Sequence, residues 1–491
     1  SVDPFAMVRT QMLIHRIENA DIGGEACDVE LGAGRIRAIR RRGPASDRSK
    51  KPAACADGVL DAEGGALLPG LHDHHIHLFA LAARLESLDC GPPAVSDLKS
   101  LKAVLEQAEP RSGWLRGTGY HESIAGPLNR ELLDRLRDDV PVRIQHRSGV
   151  AWCLNSRAVE ELGLDHASEG LPAAAIERDA RGRPTGRLFR ADVWLGERIG
   201  RDSGPDLAPV GRMLTEAGIT RVTDCSAANE AAAVRSLGRA RATGALPQRL
   251  QLMGRLDLPD SPDPDCVRGP HKIMLDEPAL PDFGRLVDQI GRAHEDARNV
   301  AFHVVTRTEL VFALAALEEA GARRGDRLEH ASIAPPELID RVARLGLTVV
   351  TQPHFIFERG DAYLKDVEPS EQPYLYRLTS WLDRGVRLAG GSDAPYGAPD
   401  PWAAMRAAME RRTRSGRSIG AGEALSPEAA CALFAPTLDG TRDYDERRPP
   451  SPRVGDPADL CLLDLPWEKA RLDLDRGRVR RTLLGGESIA P

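Results

Sequence analysis

Two hydrophobic periodicities alternate along most of this chain. An amphipathic helical stretch, a glycine and a short apolar run ending in polar residues recur through its long middle part. Leu207 to Ala217 leads through Gly218 into ITRVTDCS, and Leu310 to Ala320 through Gly321 into DRLEHAS. Pro336 to Leu345 leads through Gly346 into LTVVTQPH, and Tyr374 to Arg384 through Gly385 into VRLAGGSD. Glycine suits the left-handed position where a helix ends, and alternating helices and strands imply a parallel sheet. The runs that end in polar residues are ALLPGLHDHHIH, ITRVTDCS, RLQLMG, HKIMLD, VAFHVVT, DRLEH, LTVVTQPH and VRLAGGSD. Eight is the number that closes a (β/α)8 barrel.

The two ends of the chain have a different texture. From Met12 to about Leu68, and again over Ala458 to Asp464 and Val479 to Leu484, short β-rich runs are punctuated by Gly and Asp. These predict one small β-sandwich assembled from both termini, residues 7–65 and 437–491, around a barrel over 66–436. Ser1 to Ala6, ahead of Met7, reads as a cloning remnant. The stretch from about 90 to 203 becomes an insertion after the first barrel strand, with a strand at VPVRIQH and a helix from about Asn155. An insertion of that length with structure of its own is expected to act as a lid or substrate-selecting subdomain.

Composition narrows the class. At 491 residues the chain has room for a barrel of roughly 250 residues and an accessory domain. With 28% charged residues, a mean hydropathy of -0.34 and no apolar run of about 18 residues, no membrane span is expected. The net charge of -7 is modest and the arginines are scattered, which argues against a nucleic-acid partner. Eight widely spaced cysteines without a C-x-x-C pair suit reduced thiols in a cytoplasmic protein. The expected partner is a small-molecule substrate, and a homo-oligomer is left open.

The richest chemistry is in Pro69-Gly70-Leu71-His72-Asp73-His74-His75-Ile76-His77. Side chains two apart on a strand share a face, so His75 and His77 can both point into the barrel. A histidine-rich turn would look the same in isolation. Three further ligand types end strands, however: His303 in AFHVVT, His330 in RLEH and Asp393 after Gly391-Ser392. A buried His is often a satisfied core residue and an Asp after Gly-Ser often a helix N-cap. Their coincidence where barrel enzymes place catalytic groups points instead to a metal site.

The set PGLHDHHIH, HKIMLD, AFHVVT, RLEHASI, TQPH, GSDAP, LSPEAACALF and VGDPADLCLLD resembles the amidohydrolase superfamily, particularly the branch of N-substituted formamide deformylases, over nearly all of residues 12 to 485. The resemblance implies one or two divalent metals, usually zinc. By it, His75 and His77 bind the more buried metal, His303 and His330 the second, and Asp393 the first while also moving protons. Lys272 falls where binuclear members carry a carboxylated lysine bridging the metals; a solvent-facing lysine beside an inward His271 is the other reading. The expected reaction is hydrolysis of a C–N bond, amide or cyclic amide, by metal-activated water with Asp393 as the proton shuttle. Ester or lactone hydrolysis and decarboxylation use the same site chemistry. A non-catalytic interaction protein, of the kind related to dihydropyrimidinases, would be expected to have lost ligands.

The substrate-facing parts depart from the branch. Val150 stands where relatives tend to have a histidine, with His146 four residues earlier, and arginines 187 and 190 follow the P-T-G turn in place of an acidic residue. Candidate pocket residues are Tyr120, His121, Glu122, His146, Arg147, Trp152, His354 and Tyr396.

Overall fold

The computed structural model describes residues 12–43, 58–92, 94–165, 170–199, 204–436 and 448–489. Residues 1–11, Cys55, residues 200–203 and, at 437–447, the start of the expected C-terminal sandwich part lie outside them. Two compact units emerge, one from residues 1–78 with 207–491 and one from 79–206.

In the first unit, eight parallel strands pair in sequence order. They are β1 (Leu71–Ile76), β2 (Ile219–Asp224), β3 (Arg249–Gly254), β4 (Cys266–Met274), β5 (Val300–Val304), β6 (Arg327–His330), β7 (Thr348–Thr351) and β8 (Arg387–Gly390). The ring is drawn together just beyond β8. There Asp393 N–H donates to the His75 carbonyl at 2.7 Å and His77 N–H to the Ala394 carbonyl at 2.9 Å. This is the (β/α)8 barrel that the repeated helix, glycine and strand pattern predicts.

Outward-facing Ile273, Phe302, Leu328 and Val349 bury against Leu286, Leu310, Leu314 and Ile339 of the surrounding helices. Those helices carry their own start and stop signals. Arg307–Ala320 begins with a Thr306–Glu309 capping box, and Pro336–Leu345 ends on Gly346 at φ 67°, where a Cβ would be strained. One expected helix is much shorter. Tyr374 to Arg384 yields only a single α-turn, Thr379–Leu382, because Leu375 and Tyr376 are buried against Phe355 and Tyr376 N–H pairs with the Ser332 carbonyl.

Both chain ends contribute to the flanking sheets. One sheet joins Met12–Leu13 and Leu67–Pro69 to Leu460–Leu463, Val479–Leu484 and Glu487–Ile489; the other holds Arg16–Ile22, Glu25–Gly32, Arg35–Arg41 and Val59–Asp61. Ile17, Val29 and Ile36 of the second sheet share a core with Leu67, Leu460, Leu462 and Leu483 of the first.

The second unit is richer in sheet than its sequence suggests. Besides Val142–His146 and a helix capped by Asn155, its six-stranded sheet includes Leu115–Tyr120, Ala151–Leu154 and Pro184–Phe189. LRGTGY and PTGRLF contain too many Gly and Arg residues to show an apolar alternation. Among the described residues, no helix is long and apolar enough to cross a membrane.

The seam between β8 and β1 leaves no space for a side chain at Gly391. An added Cβ would lie 2.4 Å from the His75 Cβ and 2.6 Å from the His75 nitrogen. Gly391→Ala should therefore destabilise the protein by about 1–3 kcal/mol, the usual cost of overpacking. Thermal unfolding checks this, and an unchanged midpoint would show that the seam can yield.

Candidate metal centre

The strand period places Asp73, His75 and His77 on one face of β1 and its continuation. His75 is buried and His77 partly so. The seam then delivers Asp393, whose Oδ1 lies 3.4 Å from His75 Nε2 and 3.2 Å from His77 Nε2. Asp393 is not a helix N-cap; the following helix, Pro401–Glu410, is capped by Asp400. From the opposite side of the ring, His330 comes within 4.8 Å of His75 and 4.5 Å of His303, centroid to centroid. Ligand atoms of His75, His330 and Asp393 all lie within 4.8 Å of one another.

Each of three imidazoles is held through its other nitrogen. His75 Nδ1 donates to Glu329 Oε2 at 2.5 Å, His330 Nδ1 to Gln352 Oε1 at 2.8 Å, and His77 Nδ1 pairs with Ser226 Oγ at 3.1 Å. Holding Nδ1 fixes the ring, so that a cation displacing the Nε2 proton finds a lone pair already aimed at it. Sequence reasoning missed Glu329, Gln352 and Ser226. Glu329 in turn accepts from Arg327 Nε at 2.5 Å and from a terminal guanidinium nitrogen at 3.0 Å. Burial would raise the Glu329 pKa, but Arg327, then Lys272 and His75, hold it well below the usual carboxylate range.

Asp73 is a further residue whose role the sequence did not reveal. Its Oδ1 accepts from the backbone N–H groups of His75 and Ser392, bracing the seam, and burial pushes its carboxyl up to about 6. Burial also pushes His303 down to about 3, with Lys272 and His75 adding to the shift. An imidazole so depressed is neutral at pH 7 and available as a ligand. The Asp393 carboxylate is opposed by burial, but the hydrogen bonds with His75 and His77 keep it well below its ordinary value.

Lys272 provides an independent sign that the site takes a partner. Its amine is buried within the influence of His75, His303, His330 and Glu329, yet Nζ has no hydrogen-bond partner. A buried polar atom left alone costs about 1–3 kcal/mol. Four imidazoles, one carboxylate and an orphaned amine make a donor set that fits one or two divalent cations.

The remaining candidates are distributed as follows. Tyr396 is exposed with its ring 5.6 Å from that of His77. His354 is buried and donates from Nε2 to the Ser392 carbonyl at 3.0 Å, steadying the loop that carries Asp393. The other candidates belong to the second unit. Tyr120 is buried and donates to the Gly126 carbonyl at 2.7 Å, and Trp152 packs among Trp114, Leu188 and Trp194. His121, Glu122 and His146 lie close together, with His146 Nε2 3.0 Å from Glu122 Oε2. Arg187 is paired with Glu177.

A parallel eight-stranded barrel with imidazoles and a carboxylate gathered at the C-terminal ends of its strands defines a metal-dependent hydrolase. Residues 58–490 match the amidohydrolase family. The chain belongs to that family and, with it, to the enzymes that hydrolyse carbon–nitrogen bonds other than peptide bonds. It is 28% identical to the N-substituted formamide deformylase of Arthrobacter pascens, over 93% of this chain and 94% of the relative. Its identity to the putative amidohydrolase YtcJ of Bacillus subtilis (strain 168) is 24%, over 88% and 90% of the two chains. An uncharacterized metal-dependent hydrolase from Pyrococcus furiosus shares the fold at a TM-score of 0.68 and 20% identity, covering 91% of this chain and 98% of that one.

If Glu329 sets the orientation and basicity of His75, Glu329→Gln should weaken metal binding by about 10- to 100-fold, the range typical for partners of ligating histidines. Competition with a chromogenic chelator measures this. Equal affinity in the variant would remove Glu329 from the role.

Proposed function

We propose that this chain hydrolyses an amide or cyclic amide, with His75, His77 and Asp393 holding one divalent cation, His303 and His330 a second, and a carboxylated Lys272 bridging them. Zinc is the cation favoured by a set dominated by imidazole. The observation that carries this reading is the Asp393 carboxylate resting against both His75 Nε2 and His77 Nε2 at the mouth of the barrel. Lys272 supports it: a neutral amine captures carbon dioxide, and the resulting carbamate supplies the oxygen ligand that its partnerless Nζ cannot be.

When bound, the metal supplies a nucleophile from water at neutral pH and polarises the carbonyl under attack. The chain's own groups do the rest. Glu329, Ser226 and Gln352 fix His75, His77 and His330 so that little reorganisation accompanies reaction. Asp393 Oδ1 faces the two imidazoles, which leaves Oδ2 to accept the proton of the attacking water and deliver it to the departing nitrogen. Tyr396, exposed beside His77, is placed to contact substrate. The similarity to the Arthrobacter pascens deformylase makes N-formyl and N-acyl amines the first substrates to try, ahead of hydantoins and lactones. We place the enzyme in the cytoplasm, without a nucleic-acid partner, on the charge distribution and the spread of its cysteines.

Asp393→Asn should lower kcat on any substrate found by at least about 100-fold, the lower range for loss of a general acid–base, while part of the metal is retained. Full turnover in Asp393→Asn would overturn its proton-transfer role. Elemental analysis should find two metals per chain in the wild type and fewer in Lys272→Ala; one metal in both would eliminate the bridge.

A further inference from the structure

The strands of the barrel begin at the face opposite the histidine cluster, and there the chain surrounds a cavity of about 680 Å³. That volume is in the range of small-molecule sites. Its wall is unusual in charge. Arg221, Arg268, Arg298, Arg324, Arg327 and Arg387 line it, and among the described lining residues Asp260 is the one acidic side chain.

Some of this positive charge is already neutralised. Arg268 pairs with Asp260 at 3.0 Å and Asp296 at 2.7 Å, and Arg327 turns inward to Glu329. Arg387 donates to the Gly346 carbonyl. Among the described residues Arg298 donates only to backbone carbonyls, including Gly269 at 2.8 Å and Leu256 at 3.0 Å, so no carboxylate is hydrogen-bonded to it. Burial, with Arg268 adding repulsion, pushes it down to about 10. Arg221, half-buried on β2, and Arg324, exposed in the turn before β6, donate to no described residue.

The uncharged polar groups of the wall add to the same bias. Gln251 lines the cavity and accepts from Thr223 through Oε1, and neither its amide N–H groups nor the Asn299 side chain has a partner among the described residues. Donors thus converge from several strand starts and outnumber the acceptors of the described wall, Asp260, Thr348 and the Asn299 amide oxygen. Guanidinium groups held together in this way repel one another, and a bound oxyanion would relieve the repulsion through charge-assisted, fork-shaped hydrogen bonds.

We propose that the N-terminal mouth of the barrel is a second binding site, separate from the hydrolytic centre, that takes a small phosphate-bearing polyanion. Phosphate groups suit it better than carboxylates because several dispersed cations in one cavity call for more than one negative charge per group. Occupancy would tie together the starts of β2, β5 and β6, and so stabilise the ring that positions the histidines at its other end.

Inorganic pyrophosphate titrated into the purified holoenzyme by calorimetry, at constant ionic strength, tests this. Tricarballylate serves as a carboxylate control. The expected result is saturable binding of one pyrophosphate per chain, weaker binding of the tricarboxylate, and a loss of about tenfold or more in affinity in both Arg324→Gln and Arg221→Gln, the size of one charge-assisted hydrogen bond. Arg324 is exposed and its variant should fold and hydrolyse substrate normally. His303→Ala separates the two ends of the barrel: pyrophosphate affinity unaffected by it supports the proposal, whereas loss there with both arginine variants binding as wild type puts the anion at the hydrolytic centre and overturns it. No saturable binding, or a tricarboxylate bound as tightly as pyrophosphate, likewise contradicts it.

Discussion

The architecture turns on one seam. Where β8 meets β1, Asp393 N–H donates to the His75 carbonyl, and the same residue's carboxylate reaches the Nε2 atoms of His75 and His77. Closing the ring and assembling the site are therefore a single event. A barrel that failed to close would separate the carboxylate from the imidazoles, since the two strands are more than 300 residues apart in sequence. Gly391 permits the approach, and Asp73 secures it by accepting backbone N–H groups from both sides.

The second constraint is electrostatic. Glu329 and Arg327 are buried together, and removal of one member of such a pair typically costs about 3–5 kcal/mol because the other charge is stranded. That expense is understandable if Glu329 is there to orient His75. Backbone strain lies in the same place: His330 has φ 69° and Asp393 φ 52°, conformations that cost of order 1–3 kcal/mol each in non-glycine residues. Positive φ occurs at other non-glycine residues too, Asn19, Tyr376 and Arg411 among them, but at His330 and Asp393 it falls on candidate ligands beside the buried Arg327–Glu329 pair.

Much of this was legible in the sequence, for identifiable reasons. The barrel announces itself because each repeat ends in a glycine and an apolar strand, and His75 and His77 stand out because the strand period aligns them. Glu329 stayed hidden because it adjoins His330, and neighbours on a strand normally face opposite ways. Positive φ at His330 and Ala331 breaks that alternation, so both side chains come to lie near His75. Ser226 and Gln352 lie beyond the ends of β2 and β7, where chain direction is set by tertiary contacts. The sheet of the second unit is faint in the sequence for a plainer reason: strands such as LRGTGY gain their order from neighbours, not from local hydrophobicity.

The proposed chemistry requires a divalent cation shared by His75, His77 and Asp393. Diffraction from crystals of the zinc-reconstituted protein, recorded on both sides of the zinc absorption edge, tests it most directly. The expected result is an anomalous peak about 2.0–2.2 Å from the Nε2 atoms of His75 and His77 and from an Asp393 oxygen. A reconstituted crystal with no peak among these residues, or with its zinc bound elsewhere on the chain, would contradict it.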